Sequence, residues 1–398
     1  MLRWEPHDEQ FRLNPYPMYR RLRDEAPLYQ NEEAGFYALT RFEDCRNALV
    51  DTKRFVSSQG VSLEKYEVGQ KLMILMDPPK HTWHRKVMSR MFTPRVISEL
   101  EPWIRQTCTS LLDDLRDVDS FDVVEEFSML LPLYVIGELI GLPEDYRLTA
   151  KRLSHLAAQR VSSNSVLEEA ATASIELNEY LLAATKDRRT HLGDDIISTI
   201  ITTPMVDDRG DEHYLDDEQI AAFFFEFTFA GNDTTTRALA NGVVALAWYP
   251  DQRHELIADP TLMARATEEM LRWDTPSHYL GRTTSEDVEL PSGTLPAGST
   301  VAVVLASANH DERVYDNPEY FDIHRDLDRK LWFGIGPHVC IGASLARLEM
   351  RIAFEEFLAR FHDFHVAESG CVQDLSGQNR GLFHLPLVVD AVAKTASA

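Results

Sequence analysis

The sequence predicts a mainly α-helical chain with a small β lobe, an α+β fold, on three observations. The stretch from Asp217 to Tyr249 contains no proline and as one helix would run about 50 Å at 1.5 Å per residue. Between Pro102 and about Ile200 apolar residues recur at helical spacing, with short turns such as the Gly-Leu-Pro break at Gly141–Pro143. Alternating segments, GFYALTRF at Gly35–Phe42 and others after His278, read instead as half-buried strands. No Pro/Gly/Ser-rich linker divides the 398 residues, so a single domain over 1–398 around one core is expected.

Composition narrows the function. With 64 acidic against 40 basic residues and a formal net charge of -24, the chain suits neither a nucleic acid nor an anionic membrane surface. Cys45, Cys108, Cys340 and Cys371 lie far apart, without the spacing of a metal site or a disulfide framework, as in a reducing compartment. The opening MLRWEPHDEQ is polar, so neither signal peptide nor anchor is expected and the cytoplasm is the expected location. Repeats and low-complexity tracts are absent.

In chain order, Pro17–Asp24 reads as an amphipathic helix and Gly35–Phe42 as the first strand of the β lobe. In DPPKHTWHRK the prolines Pro78 and Pro79 end one segment, and a helix begins near His81 that sets His81 and Arg85 on one face. Taken alone they are an ordinary solvated pair. TTPMVDDRGDEHYLDDEQ is a polar loop without a recognisable site. In the long helix, Glu226, Asn232, Asp233 and Arg237 interrupt the apolar run and favour a buried core helix over a membrane span. Gly231 there costs about 1 kcal/mol relative to alanine. Phe227, Ala230, Gly231, Thr234 and Ala238 share a face, so small side chains leave room for a ligand beside the Thr234 hydroxyl. Without further evidence the same pattern fits a helix-packing notch with Thr234 bonding its own backbone. Glu269 and Arg272 stand three apart on a helix ended by Pro276, and turns at Gly293, Pro296 and Gly298 mark hairpin strands. HVAESGCVQ and LFHLPLVVD close the chain as strands.

FGIGPHVCIG, Phe333–Gly342, carries the strongest chemistry. Gly334, Gly336 and Gly342 mark tight turning or close approach, and Pro337 stiffens the loop. A helical pattern follows directly, which places the Cys340 thiol at a helix N-terminus where unpaired N–H groups favour thiolate. Such a thiolate on a glycine-rich loop suits the proximal ligand of a haem iron. A lone cysteine is otherwise a small buried hydrophobe.

Phe333, Gly334, Gly336, His338, Cys340 and Gly342 match the haem-binding loop of the cytochrome P450 family, and the chain resembles a soluble bacterial member from Asn14–Tyr29 to its last strands. The resemblance implies haem b between the long helix and the Cys340 helix, with Cys340 the iron ligand. Phe333, Gly334, Gly342, Ala230 and Gly231 would border the haem, and His81, Arg85, Arg282 and His338 would neutralise its propionates. Asp233 and Thr234 would relay protons to dioxygen, with Asn232 standing where histidine is frequent and Asp233 where glutamate is frequent. Glu269 and Arg272 would form a buried pair, joined by Arg325, that holds the haem loop; this register sets Glu268 aside. Phe227, His278, Tyr279, Leu280, Leu382 and Phe383 would line the substrate pocket, and Asn232, His278 or Tyr279 would anchor a polar end.

The implied enzyme is a monooxygenase for a small, largely apolar organic substrate, with O2 as co-substrate. Electrons would come from NAD(P)H through a reductase and a separate ferredoxin or flavodoxin, docked on Lys330, Arg347 and Arg351. A peroxide-driven haem-thiolate peroxygenase would not need the acid–alcohol pair, and a non-catalytic haem sensor or carrier would need neither relay nor groove.

Overall fold

A computed structural model of the chain describes residues 2–63, 71–141, 168–367, 369–374 and 377–389. The long helix runs from Asp217 to Trp248. A reciprocal capping box starts it: the Asp216 carboxylate accepts from the Gln219 amide, and the Gln219 side chain accepts from the Asp216 amide. It packs against the helices Leu130–Ile140, Glu168–Thr190, Met263–Trp273 and Ala343–Leu358. Leu130–Ile140 is apolar nearly all round and correspondingly buried. Part of the Gly141–Pro143 break lies outside the described residues. Among the described residues no helix is long and apolar enough to cross a membrane.

The β lobe is a five-stranded sheet in the order Leu28–Asn31, Phe36–Leu39, Thr300–Val303, Leu280–Thr284, Phe55–Val56. Its one parallel pairing, Thr300–Val303 on Phe36–Leu39, joins segments far apart in sequence, while the others are antiparallel. Trp4, Tyr19, Tyr29, Phe36 and Tyr279 form a second, aromatic core beside this sheet. Near the C-terminus Pro386–Val389 pairs on one side with Phe364–Val366 and on the other with Ser120–Asp122, a short strand inside the stretch that periodicity reads as helical. The polar loop before the long helix holds a small hairpin, Met205–Val206 with Glu212–His213. Two- and three-residue strands are too short to show alternation, which is why sequence pattern misses both.

Candidate active site

Cys340 lies on a loop whose geometry glycine enforces. Gly334 and Gly336 take φ of 68° and 78°, and a Cβ on Gly336 would stand 2.9 Å from the Leu49 carbonyl oxygen. The Cys340 amide donates to the Phe333 carbonyl at 2.8 Å, closing the loop under the thiol. The following helix starts only at Ala343. That corrects the expectation of a thiol on the helix terminus itself. Burial pushes the thiol pKa up, against the pull of the Gly342 amide, Arg85 and Arg347. Desolvation therefore outweighs the helix end in the protein alone; a coordinating metal would deprotonate the thiol outright.

Cys340 nevertheless keeps accessible surface, as does Ala230 in the middle of the otherwise buried long helix. Cβ atoms added at Gly231 and Gly342 would make only ordinary contacts, 3.8 Å to Ile136 and 3.8 Å to Phe92. Protein packing therefore does not require either glycine. Phe92 bridges the two sides, its ring 5.4 Å from that of Phe227. Together these observations describe an inner hollow between the Ala230–Thr234 face and the Cys340 loop.

On the flank of that hollow four basic groups crowd together. Arg85, on the helix Lys80–Met88, donates to the Val339 carbonyl at 2.6 Å. The His81 and His338 rings lie 4.0 Å apart, and Arg282 reaches in from the central sheet. Burial and mutual repulsion push His81 down to about 4 and His338 down to about 3, and burial brings Arg282 down to about 10. The carboxylate that offsets His81 and Arg282 is Asp77, which sequence reasoning passed over; it also accepts from the Ser57 and Ser58 amides. His81 Nδ1 and Arg282 Nε are buried without a partner among the described residues. Unused donors in a positive cluster are what the two propionates of a haem would satisfy, so these residues fit the group.

The Thr234 hydroxyl donates to the Ala230 carbonyl at 2.7 Å. Asp233 accepts from Arg237 Nη2 at 2.7 Å and Nε at 3.0 Å, and from the Asn379 amide at 2.9 Å. Arg237 also pairs with buried Asp374. The Asp233 side chain is thus part of the packing between the long helix and the C-terminal hairpin. A Cβ on Gly381 would stand 2.5 Å from Arg237 Cγ, so glycine lets the hairpin settle there. Arg380 completes the clamp, pairing with Asp274 at 3.0 Å and donating to the backbone carbonyls of Arg12 and Leu13. Asp374, Asn379 and Arg380 carry no motif that singles them out in the sequence.

The expected substrate contacts divide. Leu280, Leu382 and Phe383 keep accessible surface, whereas Phe227 is largely covered. Asn232, His278 and Tyr279 are 6%, 4% and 0% exposed. His278 Nδ1 lies 2.9 Å from the Tyr19 hydroxyl, and the Tyr279 ring meets Trp4 edge to face. His278 and Tyr279 therefore serve the aromatic core, which corrects the anchoring role assigned to them, while Asn232 is buried on the long helix outside that core, its Oδ1 without a partner among the described residues.

Glu269 binds Arg272 Nε at 2.6 Å and Nη2 at 2.7 Å, and Arg325 Nε at 3.1 Å, with the Glu269 and Arg272 side chains fully buried. Glu268 holds Lys330 at 2.9 Å and also pairs with Arg347, while Arg351 pairs with Glu101 and Glu355. Lys330 and Arg347 therefore share one carboxylate and Arg351 is held between two, so all three are engaged within the chain, contrary to the expectation of a free docking patch.

The cytochrome P450 family description matches residues 153–261 and 253–386. The chain is 39% identical to putative cytochrome P450 123 of Mycobacterium tuberculosis over 97% of each chain. It is 36% identical to a vitamin D(3) 25-hydroxylase of Pseudonocardia autotrophica over 88% of this chain and 87% of that one. Among solved structures, cytochrome P450 CYP109Q5 from Chondromyces apiculatus superimposes with a TM-score of 0.88 at 31% identity, covering 99% of this chain and 100% of the other.

Proposed function

The chain belongs to the cytochrome P450 family, and on that premise we propose that it oxidises a small, largely apolar organic molecule with electrons from a separate ferredoxin or flavodoxin and its NAD(P)H-dependent reductase. It is a haem-thiolate monooxygenase: the haem, when bound, supplies the oxidising chemistry by which O2, two electrons and two protons yield one oxygen in the product and one in water. The observation that carries this reading is the open Cys340 thiol beside unpaired His81 and Arg282 donors. Cys340 would ligate the iron, and Phe333, Gly334, Gly342, Ala230 and Gly231 would border the haem. His81, Arg85, Arg282 and His338 would hold the propionates.

Thr234 and Asp233 would hold and deliver the protons. The Thr234 hydroxyl can accept a water proton while still bonded to Ala230, and turning away gives up one hydrogen bond, about 1 kcal/mol. Because that bond stays within its own helix, Thr234→Ala should keep the fold, haem and substrate affinity. Product formed per NAD(P)H should nevertheless fall about tenfold or more, with peroxide released instead. Unchanged coupling would remove Thr234 from the relay.

The substrate class rests on the apolar surface at Leu280, Leu382 and Phe383 and on the relative named a vitamin D(3) 25-hydroxylase. Burial of apolar area, about 25 cal/mol per Å2, would supply the affinity. A compound screen following the haem absorption shift tests this. Affinity should rise with apolar area through a homologous series, and adding a hydroxyl or amine to one end should not strengthen binding. A systematic gain from the polar end would restore an anchor and overturn selection by shape.

A further inference from the structure

Glu226 stands on the long helix one turn before Ala230, on the same face, yet its bonds run across to another segment. Its carboxylate accepts from the Met73 amide at 2.8 Å and the Ile74 amide at 3.0 Å. These are the first two amides of the turn Met73–Leu75, which its own backbone leaves unpaired. Lys71 pairs with Glu218, two turns earlier on the long helix. Residues 71–76 therefore form a strap, fastened to the long helix by Glu226 and Glu218 and packed on the helix that carries His81 and Arg85. Met73 and Met76 point into the core, while Ile74 stays partly exposed.

We propose that Glu226 is the latch of this strap, a positioning residue whose two bonds to Met73 and Ile74 set how readily small molecules enter and leave the hollow above Cys340. This rests on the haem-thiolate reading only for what the hollow contains. Burial raises Glu226 to about 7 against the pull of the two amides. A strap that swings open returns the carboxyl to water and to its ordinary range near 4.5. The closed state then holds a proton that the open state releases, so closure is favoured at low pH and that advantage is lost as pH rises through about 7. Lys71 on the strap, Asp77 just after it, His81, His84 and Arg85 on the adjacent helix, and Glu218 on the long helix are the charged or titratable neighbours among the described residues, and none of them bonds Glu226. His81 and His84 are pushed below their usual range, which leaves Glu226 as the group that titrates near neutrality.

The test uses amide hydrogen exchange at Met73 and Ile74, corrected for intrinsic rates, and stopped-flow entry of n-butyl isocyanide, an uncharged haem ligand. In the wild type, entry should slow as pH falls from 7.5 to 5.5 (an assay range). Glu226→Ala should lose protection at both amides and admit the probe at least about tenfold faster at pH 6, the scale of the two hydrogen bonds removed. Glu226→Gln, which keeps one acceptor and cannot titrate, should show no pH slope. Wild-type protection in Glu226→Ala would overturn the latch, and lost protection with unchanged entry would overturn its control of the hollow. If Glu226→Ala does not fold, a pH slope surviving in Glu226→Gln overturns the proposal by itself. Absence of any isocyanide shift in the wild type would instead strike the haem assignment, while amide exchange still decides the latch.

Discussion

Cys340→Ser is expected to abolish the strongly red-shifted absorption of the reduced carbon monoxide complex and to lower turnover by at least about 10³-fold, because a hydroxyl cannot supply the electron density a thiolate gives the iron. The surrounding loop should survive. Its shape is set by Gly334, Gly336 and the bond from the Cys340 amide to Phe333, none of which involves the sulfur. The comparison that matters is therefore spectral. Near-native thermal stability with the red-shifted band gone is the expected pair of results, and a variant that keeps the band would refute Cys340 as ligand.

Glu269→Gln should be the most damaging change to stability. It removes the one carboxylate that two buried guanidinium groups share, and breaking a buried pair in this way costs about 3–5 kcal/mol. The loss spreads along the chain, since Arg272 also donates to the Asn309 and Pro318 carbonyls and Arg325 to that of Tyr320. Glu269 accepts the Asp322 amide as well. Thermal unfolding should show a large drop in midpoint together with faster haem loss. Glu268→Gln is the control: its partners Lys330 and Arg347 remain part-exposed and can turn to water, so about 1 kcal/mol or less is expected. Equal losses at the two positions would contradict the division between a buried fastening and a solvated one.

The sequence made legible what local geometry decides. Glycine spacing around Cys340, the unbroken stretch after Asp217 and the three-residue step from Glu269 to Arg272 each constrain the backbone directly. What escaped it depends on partners far along the chain. Asp233 looks free on its helix until Asn379 arrives from 146 residues away. His278 and Tyr279 sit next to Leu280, which keeps accessible surface, but Trp4 and Tyr19 draw them into the aromatic core. Lys330, Arg347 and Arg351 resemble a basic patch only while Glu268, Glu101 and Glu355 are unplaced.

The bonds of Arg380 to the carbonyls of Arg12 and Leu13 bear on how the molecule is made. They join positions up to 368 residues apart and sit in the same hairpin that grips Asp233. During synthesis the early segment leaves the ribosome long before this partner exists, so its bonds to Arg380 form only after residue 380 emerges. The acid beside Thr234 is therefore among the last parts of the enzyme to be set in place. A nascent chain halted before that hairpin would already hold the long helix, and if halted beyond Cys340 its loop as well, but would have no clamped Asp233.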